Sequence, residues 1–156
     1  MKRTVMMGLL SLVMATGLFV ASNGMAADAH TTSKFEGVKA NTGTAMHGRQ
    51  GNNDTLTWSE EFKIPDTPAP HWQVVDTKGN VFLLQRLKIK GDKENRTITI
   101  PAYIHDVAKV QIYCAWAEAL LGEASFAKPI MTAAGEAASM HADNAMGKRN
   151  SMAMGR

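Results

Sequence analysis

One thiol, five imidazoles and eleven thioethers are the groups in this 156-residue chain best suited to redox or metal chemistry. The thiol, Cys114, lies in the stretch KVQIYCAWAEALLGEASF that runs from Lys109 to Phe126. With no second cysteine in the chain an internal disulfide is excluded, which leaves inert packing, a redox group, a ligand, or half of an intermolecular bond. A thiolate forms readily only where a cation or dipole lowers the thiol from its ordinary value, and Lys109, His105 or Arg86 are the cations that a fold could bring to it. Haem is the first ligand to weigh. There is no C-x-x-C-H, so covalent attachment is excluded, whereas a non-covalent haem needs one or two side chains in an apolar pocket. Cys114 with His47, His71 or His105 are the candidates, with Met46 as a weaker one. Each histidine also has a quieter role, since His71 sits in a Pro-Ala-Pro-His-Trp junction, His105 precedes Asp106 in a turn, and His47 adjoins Gly48 at a strand end.

The C-terminal stretch offers a second metal chemistry. Met140-His141 and Met152-Ala153-Met154 place soft donors close together, and thioethers select Cu(I). The same stretch is rich in Ala and Gly and lacks a sustained apolar stripe, a composition that predicts a disordered extension. Enzyme signatures are missing: there is no G-x-S-x-G, no H-E-x-x-H and no Gly-rich phosphate loop. Glu60 and Glu61 are adjacent, so in a strand they point to opposite faces and cannot jointly flank a bond. The expectation is a protein that is not an enzyme. Trp58, Trp72 and Trp116 suit either an aromatic ligand surface or a core and its rim.

The other end of the chain predicts export. Met1-Lys2-Arg3 supplies a basic start, Val5 to Ala21 an apolar stretch, and Gly24-Met25-Ala26 a small-residue cleavage context, the pattern of a signal peptide over residues 1–26. No transmembrane segment is expected after cleavage, and the mature chain is expected to be periplasmic or secreted. The sequons at Asn53 and Asn95 matter only in a eukaryotic secretory route. Of the net charge of +3, Lys2 and Arg3 contribute +2 and the four basic and two acidic residues from Lys128 to Arg156 another +2, so the body carries −1. The basic balance belongs to the ends, which argues against a nucleic-acid partner.

Between a polar lead at 27–34 and a tail at 127–156, the region 35–126 holds the periodic apolar pattern of one small domain. Strand signals dominate it. Thr55 to Phe62, Trp72 to Asp76, Asn80 to Leu87, Thr97 to Ile100 and Lys109 to Tyr113 alternate apolar and polar residues, with a hairpin turn at Thr77-Lys78-Gly79. Glycines at 37, 43, 48, 51 and 91 and the prolines from Pro65 to Pro70 and at Pro101 punctuate these runs at the spacing of an all-β antiparallel sandwich or barrel. Ala115 to Leu121 suits a helical turn by composition and a bend by position. In the last strand, alternation puts Gln111 and Tyr113 on one face and Val110, Ile112 and Cys114 on the buried one, where free cysteines are commonly found.

Phe35-x-Gly37, Gly43-Thr44-Ala45, the Leu56-x-Trp58 strand, the His71-Trp72 junction, Thr97-Ile98-Thr99-Ile100-Pro101, and Val110 to Cys114 followed by Leu121-Gly122-Glu123-Ala124 together resemble the DM-thirteen domain family. The resemblance spans about Phe35 to Phe126 and is most specific at Cys114 and the Leu-Gly-x-Ala segment. It implies a small exported β domain of the kind described as an electron-transfer module, found beside DOMON and cytochrome-type partners. Ala115-Trp116-Ala117-Glu118 departs from the more basic or aromatic stretch that many relatives carry after the cysteine. Two functions follow as expectations. One is a redox module in which Cys114, alone or with haem or copper, exchanges electrons with a membrane or haem-protein partner. The other is a non-catalytic β-sandwich binding domain with Cys114 as packing.

Overall fold

The computed structural model describes residues 29–153, so the expected signal peptide lies outside the described residues. The fold is antiparallel β, as the periodicity predicts. Strands β1 (Ala45–Gln50), β2 (Asn53–Trp58) and β7 (Thr97–Thr99) form a three-stranded sheet in the order β1-β2-β7. Strands β3 (Pro70–Val75), β4 (Val81–Arg86), β8 (Asp106–Cys114) and β9 (Ala119–Met131) form a four-stranded sheet in the order β4-β3-β8-β9. A two-residue pair, β5 (Lys88–Ile89) with β6 (Lys93–Glu94), projects between them in sequence. A single helix, α1 (Ala133–Ala153), closes the described chain.

Each sheet turns one face to a shared core, because side chains alternate along a strand and only one set can escape water. Leu56 and Trp58 of β2 and Ile98 of β7 meet Trp72 and Val74 of β3 and Val110, Ile112 and Cys114 of β8. The indoles of Trp58 and Trp72 stack between the sheets with ring centroids 5.2 Å apart and planes at 22°. Phe62 continues the cluster at 5.4 Å from Trp58 and 5.1 Å from Phe35. Rings of this size dominate the burial of a small core, and these four pin one sheet to the other.

The segment expected as a polar lead is part of the body. Thr32 N–H donates to Ala45 O at 2.9 Å, Ser33 N–H to Ser125 O at 2.8 Å, and Glu36 and Glu123 exchange both backbone bonds at 2.9 Å. Residues 30–36 therefore run as a seam between β1 and β9, joining the edges of the two sheets as in a barrel. Gly37 and Gly122 make the seam possible: a side chain at Gly37 would collide with the Gly122 backbone, and one at Gly122 with the Ala40 carbonyl.

Two further boundaries correct the sequence expectations. β9 runs on past Phe126 to Met131, where Pro129 is tolerated because β9 is the edge strand of its sheet. The tail, expected to be disordered, is helical from Ala133. Its alanines favour helix individually, and its first turn is anchored: the Thr132 hydroxyl accepts the Gly135 N–H at 3.1 Å and donates to Ile104 O at 2.8 Å. Thr132 is thus an N-cap tied to the loop before β8.

Candidate functional site

β8 delivers Cys114 to the rim of the core. Its burial alternates along Val110 to Cys114 as expected, and the register sets Cys114 opposite Pro70 of β3 and Ala119 of β9. The loop from Ala115 to Glu118 closes the hairpin to β9, with Glu118 in the left-handed region at φ 51°. That turn folds its own amides back onto the sulfur. The Ala117 N–H is the strongest influence on the thiol and holds it below its ordinary value, against the burial that pushes it up; N–H groups of Ala69 and Trp116 act the same way. The Thr67 hydroxyl adds the weakest contribution, and it is itself buried without a well-formed hydrogen bond, so its contact with the sulfur is a loose one. Cys114 is only 1% exposed. The sulfur is therefore covered by the segment at 67–69 and the loop at 115–118, and it sits among donors that favour a thiolate.

Backbone dipoles, not the expected cations, supply this field. Lys109 lies on the opposite face of β8, bonded to Glu123 at 3.0 Å. Arg86 donates to Pro68 O at 2.9 Å. His105 precedes the first residue of β8, nine positions and about 30 Å of strand away from Cys114.

The expected co-ligands are not gathered at the thiol. His71 pairs with Tyr113 on the face opposite Cys114, its Nδ1 donating to Ala69 O at 2.9 Å. His105 is exposed, and His47 belongs to the other sheet. Met46, also in β1, is exposed. With the sulfur enclosed by strand partners and amides, and no imidazole on its side of the sheet, this residue set does not fit a thiolate-ligated haem. In the tail, Met140 is exposed and the His141 Nδ1 is engaged by Ala137 O at 2.7 Å. Met152 lies in α1 and Met154 outside the described residues. Among the described residues no group of three or more His, Cys, Asp or Glu side chains is arranged to hold a metal ion. Trp58 and Trp72 are core residues, while Trp116 stands 75% exposed on the loop that covers Cys114.

A second cluster escaped the sequence reading. The register of the β1–β2 hairpin sets Arg49 directly across from Asp54, and His47 lies two residues before Arg49 on the same face. Asp54 is 5% exposed, and three groups converge there. Its Oδ1 accepts from His47 Nε2 at 2.8 Å and Arg49 Nε at 3.3 Å, and its Oδ2 accepts the Ala133 N–H at the start of α1 at 2.7 Å. Burial pushes the Asp54 carboxyl up, but the Ala133 amide, His47 and Arg49 together outweigh it and hold the group below its ordinary value. Arg49 bridges onward to Glu136 in α1 at 3.2 and 3.3 Å. The far side of the His47 ring faces His30, Nδ1 to Nδ1 at 3.0 Å, with ring centroids 5.3 Å apart. His30, His47, Arg49 and Glu136 line a groove of about 620 Å³ whose other wall is Lys128 to Met131 of β9. The one signal in the sequence that could have found it is the His47-x-Arg49 spacing; the carboxylate comes into view only with the hairpin register.

Comparison of the chain with protein-family models, with curated proteins and with solved structures finds no match. No helix among the described residues is long and apolar enough to cross a membrane.

Proposed function

We propose that this chain is an exported redox module whose working group is the Cys114 thiolate, as its resemblance to the DM-thirteen family implies. The observation that carries the proposal is that the amides of Ala117, Ala69 and Trp116 hold the Cys114 thiol below its ordinary value although the side chain is only 1% exposed. A packing cysteine needs only apolar neighbours, and burial among them would raise its pKa. The chemistry is two-electron. The thiolate attacks one oxygen of hydrogen peroxide, an S–O bond forms as the O–O bond breaks, and the departing hydroxide takes up a proton. A dithiol presented by a membrane-bound redox partner then returns two electrons, leaving water, a partner disulfide and the original thiol. Trp116, exposed on the loop that covers the sulfur, is the natural contact for that partner.

The test is the pH dependence of Cys114 alkylation in the folded chain, together with trapping of a sulfenic acid after peroxide treatment. Alkylation should rise with an inflection below the free-thiol value of about 8.5, and the trapped oxygen adduct should vanish on reduction by a dithiol. An inflection at or above that value with no trapped adduct would assign Cys114 to packing and the chain to the non-catalytic binding domains.

A further inference from the structure

We propose that His30 and His47, with the thioether of Met131, form a binding site for a single cuprous ion in the groove between β1, β9 and the start of α1. The site is separate from Cys114 and does not depend on its chemistry.

The carboxylate of Asp54 sets up the ligand. A neutral imidazole offers one N–H and one lone pair, and the 2.8 Å bond from Nε2 to Asp54 commits the proton to that nitrogen. The Nδ1 lone pair of His47 is thereby turned to His30, whose Nδ1–H donates to it at 3.0 Å; a cuprous ion takes the place of that proton, which moves to the Nε2 of His30. A carboxylate behind an imidazole is the usual device for fixing the tautomer and orientation of a metal-ligating histidine and for raising its basicity. Asp54 is in turn immobilised by Arg49 and the Ala133 amide, so the support is rigid.

Two nitrogens each about 2.0 Å from a first-row ion lie somewhat farther apart than 3.0 Å. His47 is held with only 4% of its side chain exposed, so it is His30 that must shift, giving up part of its present contacts, for the ion to enter. Met131 lines the same groove and is 47% exposed. Its sulfur lies against Gly135 in the first turn of α1, two residues from the amide that binds Asp54. Two neutral imidazoles and a thioether form a soft set without an anionic ligand, which selects Cu(I) over divalent zinc.

The experiment is an anaerobic titration of the full mature chain with Cu(I) in competition with a chromophoric chelator, followed by nitrogen NMR of the imidazoles. One Cu(I) per chain should bind, shifting the Nδ1 resonances of His30 and His47 and leaving those of His71, His105 and His141 in place. His30→Gln and Met131→Leu, both at exposed positions, should each weaken binding by at least about tenfold, and Asp54→Asn by about 10–100-fold. Binding that survives both exposed substitutions, binding that is lost only when Met140, Met152 and Met154 become leucine, zinc held as tightly as Cu(I), or no Cu(I) bound at all would each overturn the proposal.

Discussion

The carboxylate of Asp54 on β2 accepts the backbone N–H of Ala133 at 2.7 Å, a bond that spans 79 positions of sequence and docks helix α1 on the three-stranded sheet. An anion at a helix N-terminus meets free amides and the positive end of the helix dipole. Asp54 therefore serves β1 and α1 together, holding His47 and Arg49 on one side and the first turn on the other.

Asp54→Ala leaves a buried amide and a buried imidazole N–H without their acceptor. The expected loss is about 2–3 kcal/mol of global stability, read as a fall in the urea midpoint. Amide hydrogen exchange in the first turn of α1 should accelerate more than exchange in β8. Asp54→Asn keeps an oxygen acceptor and should recover part of the midpoint but not the ion pair with Arg49. Equal exchange rates in the variant and the parent would mean that α1 is held by other contacts.

Gly37 and Gly122 should tolerate no side chain. Each approaches backbone, which cannot swing aside as a flexible side chain can, so Gly122→Ala must part the seam from β9. Cost on the scale of core overpacking, about 1–3 kcal/mol, is expected, with chemical-shift changes concentrated at Phe35 to Ala40. Gly51→Ala is the informative contrast, because nothing stands near its missing side chain and only its φ of 61° opposes the substitution. Its loss should be smaller and confined to the β1–β2 turn.

Much of this architecture was legible where one face of a strand is buried and the other wet. β8 is the clearest case, since Val110, Ile112 and Cys114 alternate with Gln111 and Tyr113 and the structure turns them as the pattern says. β1 was not legible. Of its six residues only Ala45 is buried, so no alternating apolar signal exists to be read. β9 was obscured for another reason: Ala119-Leu120-Leu121 has helical composition, and pairing with β8 overrides that local preference. For α1 composition pointed to disorder, and the deciding contacts, Thr132 to Ile104 and Ala133 to Asp54, are long-range. The same holds for the two sites. Cys114 was visible as a residue, but its donors come from a turn and from a loop some 45 positions earlier, and the His30–His47–Asp54 cluster depends on hairpin register and on a seam that looked like a polar lead.

The wet face of the four-stranded sheet carries an acid-sensitive contact. Glu123 accepts from Gln111 at 2.9 Å and from Lys109 at 3.0 Å, and those bonds hold its carboxyl below the ordinary value. A carboxyl lowered in the folded state contributes stability above its unfolded pKa, about 4.3, and loses that contribution as pH falls through the folded value. Glu123→Gln should therefore flatten the acid limb of the stability profile. At pH 7 it should reduce stability by only a few tenths of a kcal/mol, because the pair is largely solvated and screened.

Cys114 predicts the opposite end of the pH scale. Its thiol is lowered in the folded chain by the amides of Ala117, Ala69 and Trp116, whereas the unfolded thiol ionises near its free value of about 8.5. Below the folded pKa both states are protonated and the difference contributes nothing. As pH rises from there toward about 8.5 the unfolded chain binds more protons than the folded one, so stability must increase through that window and level off above it. Cys114→Ser keeps the size of the side chain and removes the titration. The urea midpoint of the parent should climb relative to that of Cys114→Ser as pH is raised through this window, and the gap should close when the pH is lowered again. A gap that narrows with rising pH instead would mean that burial outweighs the amides, and the case for a thiolate at this position would fail with it.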